Sequence, residues 1–243
     1  MIIFTFQMLA EEIKRIINTC PYQFAKEDIP DPTIRIWRSS TPAMYWIINW
    51  KSEPPECLRH ETTIQSDNGY TCAMWWIMTC RGHVPPCLRH DPAITDVFSQ
   101  TCAMMWIMTC RGHVPPYLRH DPSIQDCAGY TCAMWWIFRE TEDIPKYLRH
   151  DPTIQERREG RTCAMLWIIY QNKHVPEYLR HSTAMIDTYG NSCAMLWIMY
   201  CEGDVPTYLR HDPIFSNDKG ETCATLWEKY NDSSVPEYLV CDA

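Results

Sequence analysis

The chain has 243 residues, 14 cysteines and a formal net charge of -8 at neutral pH. That acidic balance excludes the basic stripe a nucleic-acid partner would need, and no apolar run approaches the roughly 18 residues that span a bilayer. Apolar residues make up 46% of the chain, which sets it apart from disordered sequences.

The first segment, MIIFTFQMLAEEIKRIINTC, has no basic leader and runs into Glu11, Glu12, Lys14 and Arg15. It reads as an amphipathic helix rather than an export signal. The cysteines are therefore expected to be reduced thiols of a cytoplasmic or nuclear protein. KEDIPDPTIRIWRSSTP in this region matches the later TEDIPKYLRHDPTIQERREGRT with KYLRH missing. Residues 1–40 are expected to form an N-terminal helical cap and a degenerate repeat.

From residue 41 the chain repeats itself. Units begin at Thr41, Thr71, Thr101, Thr131, Thr162, Ser192 and Thr222, a step of thirty residues and once thirty-one. The extra residue falls in the polar stretch ERREGR. In the third copy, TCAMMWIMTCRGHVPPYLRHDP, Thr101 is placed to cap a helix over CAMMWIMTC that is apolar nearly all round. In the first copy Pro42 follows the cap, where its missing N–H costs nothing. V-P-x-Y-L-R-H predicts a short second helix, with Asp143, Asp204 and Ser234 as caps in their copies and Arg119 and His120 near its C-terminus. The Asp121-Pro122 step ends it. A helix, a turn, a short helix and a projecting loop, repeated, predict an all-α fold: an α-solenoid of stacked helix-turn-helix units. In the last copy Glu228 and Lys229 replace apolar residues, as a C-terminal capping repeat requires.

These residues resemble a divergent ankyrin repeat. Asp126-Cys127-Ala128-Gly129-Tyr130-Thr131 matches D-x-x-G-x-T, Asp187 to Ser192 matches with serine for threonine, and Thr41-Pro42 matches the T-P start. The likeness covers residues 41–243, with a period of thirty against the usual ~33. It implies binding of a protein partner through the concave helix face and the turn tips.

The cysteine column (Cys72, Cys102, Cys132, Cys163, Cys193, Cys223) recurs once per repeat, so its members are expected ~8–10 Å apart, too far to share a disulfide or a metal. The histidine column (His60, His90, His120, His150, His181, His211) is expected to serve the end of the second helix. The tryptophan column is expected to be the spine of the core. No catalytic motif occurs, and an Arg-His-Asp run copied in most repeats points to scaffold, not to an active site. Neither an enzyme nor a cofactor is expected.

Two variable regions are left for binding. Late in the first helix they offer Met78 and Thr79, Met108 and Thr109, Phe138 and Arg139, Ile169 and Tyr170, and Met199 and Tyr200. In the turns they offer Phe98, Tyr130, Arg158 and Tyr189. Methionine and tyrosine make adaptable, amphipathic contact surfaces. The expectation is a non-catalytic protein–protein interaction scaffold with no nucleic-acid or membrane partner. The alternatives are a metal-buffering or thiol-redox protein using the Cys and His ladders, or a fragment whose activity lies elsewhere.

Overall fold

The computed structural model describes residues 11–18, 31–36, 39–80, 82–110, 112–231 and 233–240. The chain divides into two compact units, Met1–Asp121 and Pro122–Ala243. In the first, a helix α1 over 11–18 is followed by α2 (Pro42–Trp50), α3 (Cys72–Cys80) and α4 (Cys102–Thr109). The second holds α5 (Cys132–Arg139), α6 (Cys163–Gln171), α7 (Cys193–Tyr200) and α8 (Cys223–Tyr230). Successive helices from α2 to α4, and from α5 to α8, pack on one another, so each unit is an all-helical stack of repeats. In α1 the Ile13 and Ile17 side chains are fully buried, and the Trp50 indole N–H donates to the Ile17 carbonyl at 3.2 Å.

Each repeat begins as its residues dictate. The hydroxyls of Thr41, Thr101, Thr131, Thr162, Ser192 and Thr222 accept the N–H three residues on, and Thr71 does the same at 3.2 Å. The cysteine, alanine and methionine that follow are buried in α3 to α7. The tryptophan spine is also present: Trp46, Trp106, Trp136, Trp167, Trp197 and Trp227 are buried, and Trp76 is half-buried.

The expected second helix is not an α-helix. In every repeat it is one 3-10 turn of three residues, such as Pro116–Leu118 or Glu177–Leu179. The physical reason lies on both sides of it. Pro115 enters at ψ 144 and Arg119 leaves at ψ 138, so extended backbone leaves room for a single turn. Asp143, Asp204 and Ser234 do not cap it; Pro145, Pro206 and Pro236 hold that position without a side-chain bond. Arg119 is the C-cap of this turn, its N–H donating to the Pro116 carbonyl, so it and His120 follow a 3-10 turn rather than an α-helix.

Most projecting turns are built on a buried carboxylate, and Ser66 and Asn217 take its place in two of them. Oδ1 of Asp126 accepts from the N–H groups of Ala128 and Tyr130, and Oδ1 of Asp187 from those of Tyr189 and Asn191. Where the chain carries its extra residue, the longer Glu156 takes over and its two oxygens accept from Arg158, Glu159 and Arg161. Within each unit adjacent turns join through a backbone bond, such as Arg157 N–H to the Ala128 carbonyl at 2.8 Å. This approach requires Gly129: its φ is +87, and a Cβ there would meet the Arg157 nitrogen at 2.6 Å.

Candidate functional site: an exposed face beside satisfied ladders

The repeated polar columns are absorbed by the scaffold. Each histidine of the column sets Nδ1 against the next residue's carbonyl at 2.7 to 2.9 Å. A carbonyl only accepts, so Nδ1 carries the proton and Nε2 of the neutral ring is an acceptor. Nε2 lies 2.6 to 2.8 Å from the capping hydroxyl nineteen residues earlier, which donates to it while accepting the helix N–H. One imidazole thus ties the end of each repeat back to the start of its own helix. Burial lowers the pKa of His60 and His90 from the usual histidine value.

The cysteine column is not a row of isolated thiols. Cys72, Cys102, Cys163, Cys193 and Cys223 each place Sγ 3.6 to 3.8 Å from Nε2 of the preceding repeat's histidine: His60, His90, His150, His181 and His211. A cysteine beside a histidine suggests a nucleophile, but the environment opposes it. Burial pushes these five thiols up to about 12, so they are protonated at neutral pH. Among the described residues, no three His, Cys, Asp or Glu side chains converge in a geometry able to hold a metal ion.

A third ladder, beyond those expected, links neighbouring repeats. The tyrosines of four 3-10 turns reach back one repeat and their hydroxyls accept a backbone N–H: Val84 to Tyr117 at 2.9 Å, Ile144 to Tyr178 at 3.2 Å, Val175 to Tyr208 at 2.9 Å, Val205 to Tyr238 at 3.0 Å. The preceding repeat's arginine lies over each of these rings at 3.5 to 3.8 Å, Arg149 on Tyr178 for example. Its Nε donates to the carbonyl of the same valine or isoleucine. The repeated tyrosine and arginine were the available signal, but their pairing crosses repeats.

The variable columns lie elsewhere, on the surface where the late helix meets the turns. In the second unit Tyr130, Trp135, Phe138 and Tyr170 form one aromatic cluster. Phe138 meets Tyr130 edge-on at 5.4 Å between ring centroids, Trp135 at 5.8 Å and Tyr170 at 4.8 Å. The Trp135 indole donates to Oδ2 of Asp126, anchoring the cluster to the turn. Tyr170, Tyr189 and Tyr200 expose about half their surface (53%, 49% and 46%), Arg139 and Arg158 are exposed, and Ile169 and Met199 are half-buried. Trp135 was not among the expected face residues. Its position, four before Arg139 on the same helix, was the available clue.

In the first unit Phe98 and Met78 are exposed and Met108 is half-buried. Thr79 and Thr109 are half-buried too, and their hydroxyls donate to the carbonyls of Trp75 and Met105, both at 2.7 Å. The hydroxyls of those two threonines are therefore already bonded within their own helices.

No family model matches the sequence, and no curated protein matches it. Solved structures do. The ankyrin repeat domain of Bcl-3, described as a unique member of the IkappaB family, is similar at 15% identity with a TM-score of 0.47, over 69% of this chain and 82% of that one. The Bd0816 predatory endopeptidase from Bdellovibrio bacteriovorus in complex with immunity protein Bd3460 is similar at 16% identity with a TM-score of 0.48, over 61% of this chain and 84% of that one.

Proposed function

We propose that this chain is a non-catalytic protein-interaction scaffold. Its partner docks on the face built from Tyr130, Trp135, Phe138, Arg139, Ile169, Tyr170, Met199 and Tyr200 with the turn residues Arg158 and Tyr189. Met78, Met108, Phe98, Thr79 and Thr109 form the corresponding surface of the other unit.

One observation carries this reading. The positions that change most between otherwise similar repeats are those the fold leaves at the surface, where Tyr170, Tyr189 and Tyr200 stand about half exposed. Aromatic side chains with one apolar body and one polar tip contribute strongly to protein interfaces. The seventh repeat, with its exposed Glu228 and Lys229, caps the stack of the second unit, while most of the cap and degenerate repeat expected over residues 1–40 lies outside the described residues. A reducing cytoplasmic or nuclear setting fits the unpaired thiols of the described cysteines.

The test is affinity capture with the native chain and with Tyr170→Ala/Tyr200→Ala, both shown by circular dichroism to be folded. Partners held by the native chain are expected to be lost by the variant. Retention of all of them would place the binding surface elsewhere.

A further inference from the structure

One column of the repeat changes its chemistry at a single place. Just after the 3-10 turn, where the chain enters the loop, the column reads Asp31, Glu61, Asp91, Asp121, Asp151, Ser182, Asp212 and Asp242. Serine is its one non-acidic member. The residue after it is Thr183, which keeps the backbone N–H that Pro32, Pro92, Pro122, Pro152 and Pro213 lack in their copies.

The acidic side chain has a defined task in this loop. Oδ1 of Asp31, Asp91, Asp151 and Asp212 accepts the N–H two residues on, at 2.8, 2.9, 2.9 and 3.0 Å. The loop favours the charged form. The Thr33 hydroxyl and N–H hold the Asp31 carboxyl below the ordinary carboxylate value, and the Thr153 N–H and hydroxyl do the same at Asp151. Ser182 fills the same place with a neutral oxygen, which accepts the Ala184 N–H at the longer distance of 3.3 Å. Ser182 and Arg180 are both exposed, and the backbone at Arg180 is extended, with φ -70 and ψ 139.

We infer that Ser182 is a phosphorylation site, and that its phosphate takes over the bond that aspartate makes in the other copies of this loop. A protein kinase supplies the phosphoryl group from ATP. The Ser182 O–H bond breaks and an Oγ–P bond forms. The bond from the γ-phosphorus to its bridging oxygen breaks, ADP leaves, and the hydroxyl proton passes through the kinase base to solvent. Arg180, two residues before the serine, offers a charge by which a kinase selects its substrate. The product carries close to two negative charges and three strong acceptor oxygens, so the Ala184 N–H gains a charge-assisted partner. Every other copy already holds an acidic residue at this point, so the loop accommodates an anion there. The loop leads to Tyr189 of the proposed docking face, yet the inference stands without that reading.

The experiment treats the full chain with magnesium ATP and, separately, the catalytic subunits of cyclic-AMP-dependent protein kinase and of protein kinase C, both directed by basic residues. Ser182→Ala and Thr183→Ala, each shown by circular dichroism to be folded, are treated in parallel, and phosphate is mapped by peptide mass spectrometry. Phosphate is expected on Ser182 of the native chain and of Thr183→Ala, with none on this peptide of Ser182→Ala. No incorporation by either kinase, or incorporation only at other residues, would overturn the site. Amide exchange at Ala184 then reports where the phosphate sits. It is expected to slow roughly fivefold on phosphorylation, towards that of Ala93, whose N–H Asp91 already holds. Ser182→Asp is expected to slow it as well. Phosphate on Ser182 with unchanged or faster exchange at Ala184 would overturn its role in the loop.

Discussion

The histidine of each of the first six repeats ties the end of the repeat to the start of its own helix, and its chemistry makes the fold sensitive to acid. His60 and His90 have folded pKa values below the ordinary one, so they bind fewer protons folded than unfolded. Their stabilisation is full above about pH 6.5 and is lost as pH falls through the lower folded value. The urea midpoint is therefore expected to be lower at pH 5 than at pH 7.5, with a shallower pH dependence in His60→Gln/His90→Gln; an equal dependence would remove these histidines from the effect. The thiols behave differently. Cys127 is exposed, whereas Cys102 and Cys163 are buried and held near 12. Iodoacetamide at pH 7.5 is expected to label Cys127 in the native protein and Cys102 or Cys163 only on unfolding, as peptide mass mapping would show. The contact between the cysteine and histidine columns was not readable from the sequence. Each column is visible there, but their meeting at 3.6 to 3.8 Å depends on how one repeat sits on the next.

At the scale of the element, the first helix is legible because its signals are local: a hydroxyl cap, then an apolar run with no proline inside. The second is not, because V-P-x-Y-L-R-H has helix-forming residues, while extended backbone on both sides leaves space for one 3-10 turn. Where the turn carries tyrosine, the Tyr–Arg ladder ties it to the preceding repeat. A break in the ladder is instructive. Cys87 stands where later repeats have tyrosine, and the position whose N–H that tyrosine would bind is Pro54, which has none. Arg59 has no ring to cover and pairs with Glu53 at 2.7 Å, and the Cys87 thiol donates to the same carboxylate at 3.1 Å. Pro54→Val with Cys87→Tyr is expected to be about 1 kcal/mol more stable than the sum of the single changes, measured by a double-mutant cycle in urea. The tryptophan spine stabilises the stack more strongly: Trp136 is 1% exposed, and Trp136→Ala is expected to cost roughly 3–5 kcal/mol. An unchanged melting temperature would remove it from the core.

For the whole molecule, repetition separates scaffold from surface. Residues copied in nearly every repeat close on one another: hydroxyl on histidine, histidine on carbonyl, arginine on tyrosine. Among residues that vary, Phe138 and Tyr170 meet edge-on, and Arg139 and Arg158 lie exposed. The sequence made that division visible by comparison between copies. It did not reveal that Trp135 joins the cluster or that Thr79 and Thr109 turn their hydroxyls inward, because both depend on side-chain partners within a helix turn. The claim that this face binds protein is tested most directly by placing a photo-crosslinking residue at position 170 and, in a control, at the exposed Glu177 of a 3-10 turn. Irradiation in cells is expected to give discrete protein adducts from position 170 and few from 177. Adducts from 177 with none from 170 would contradict it.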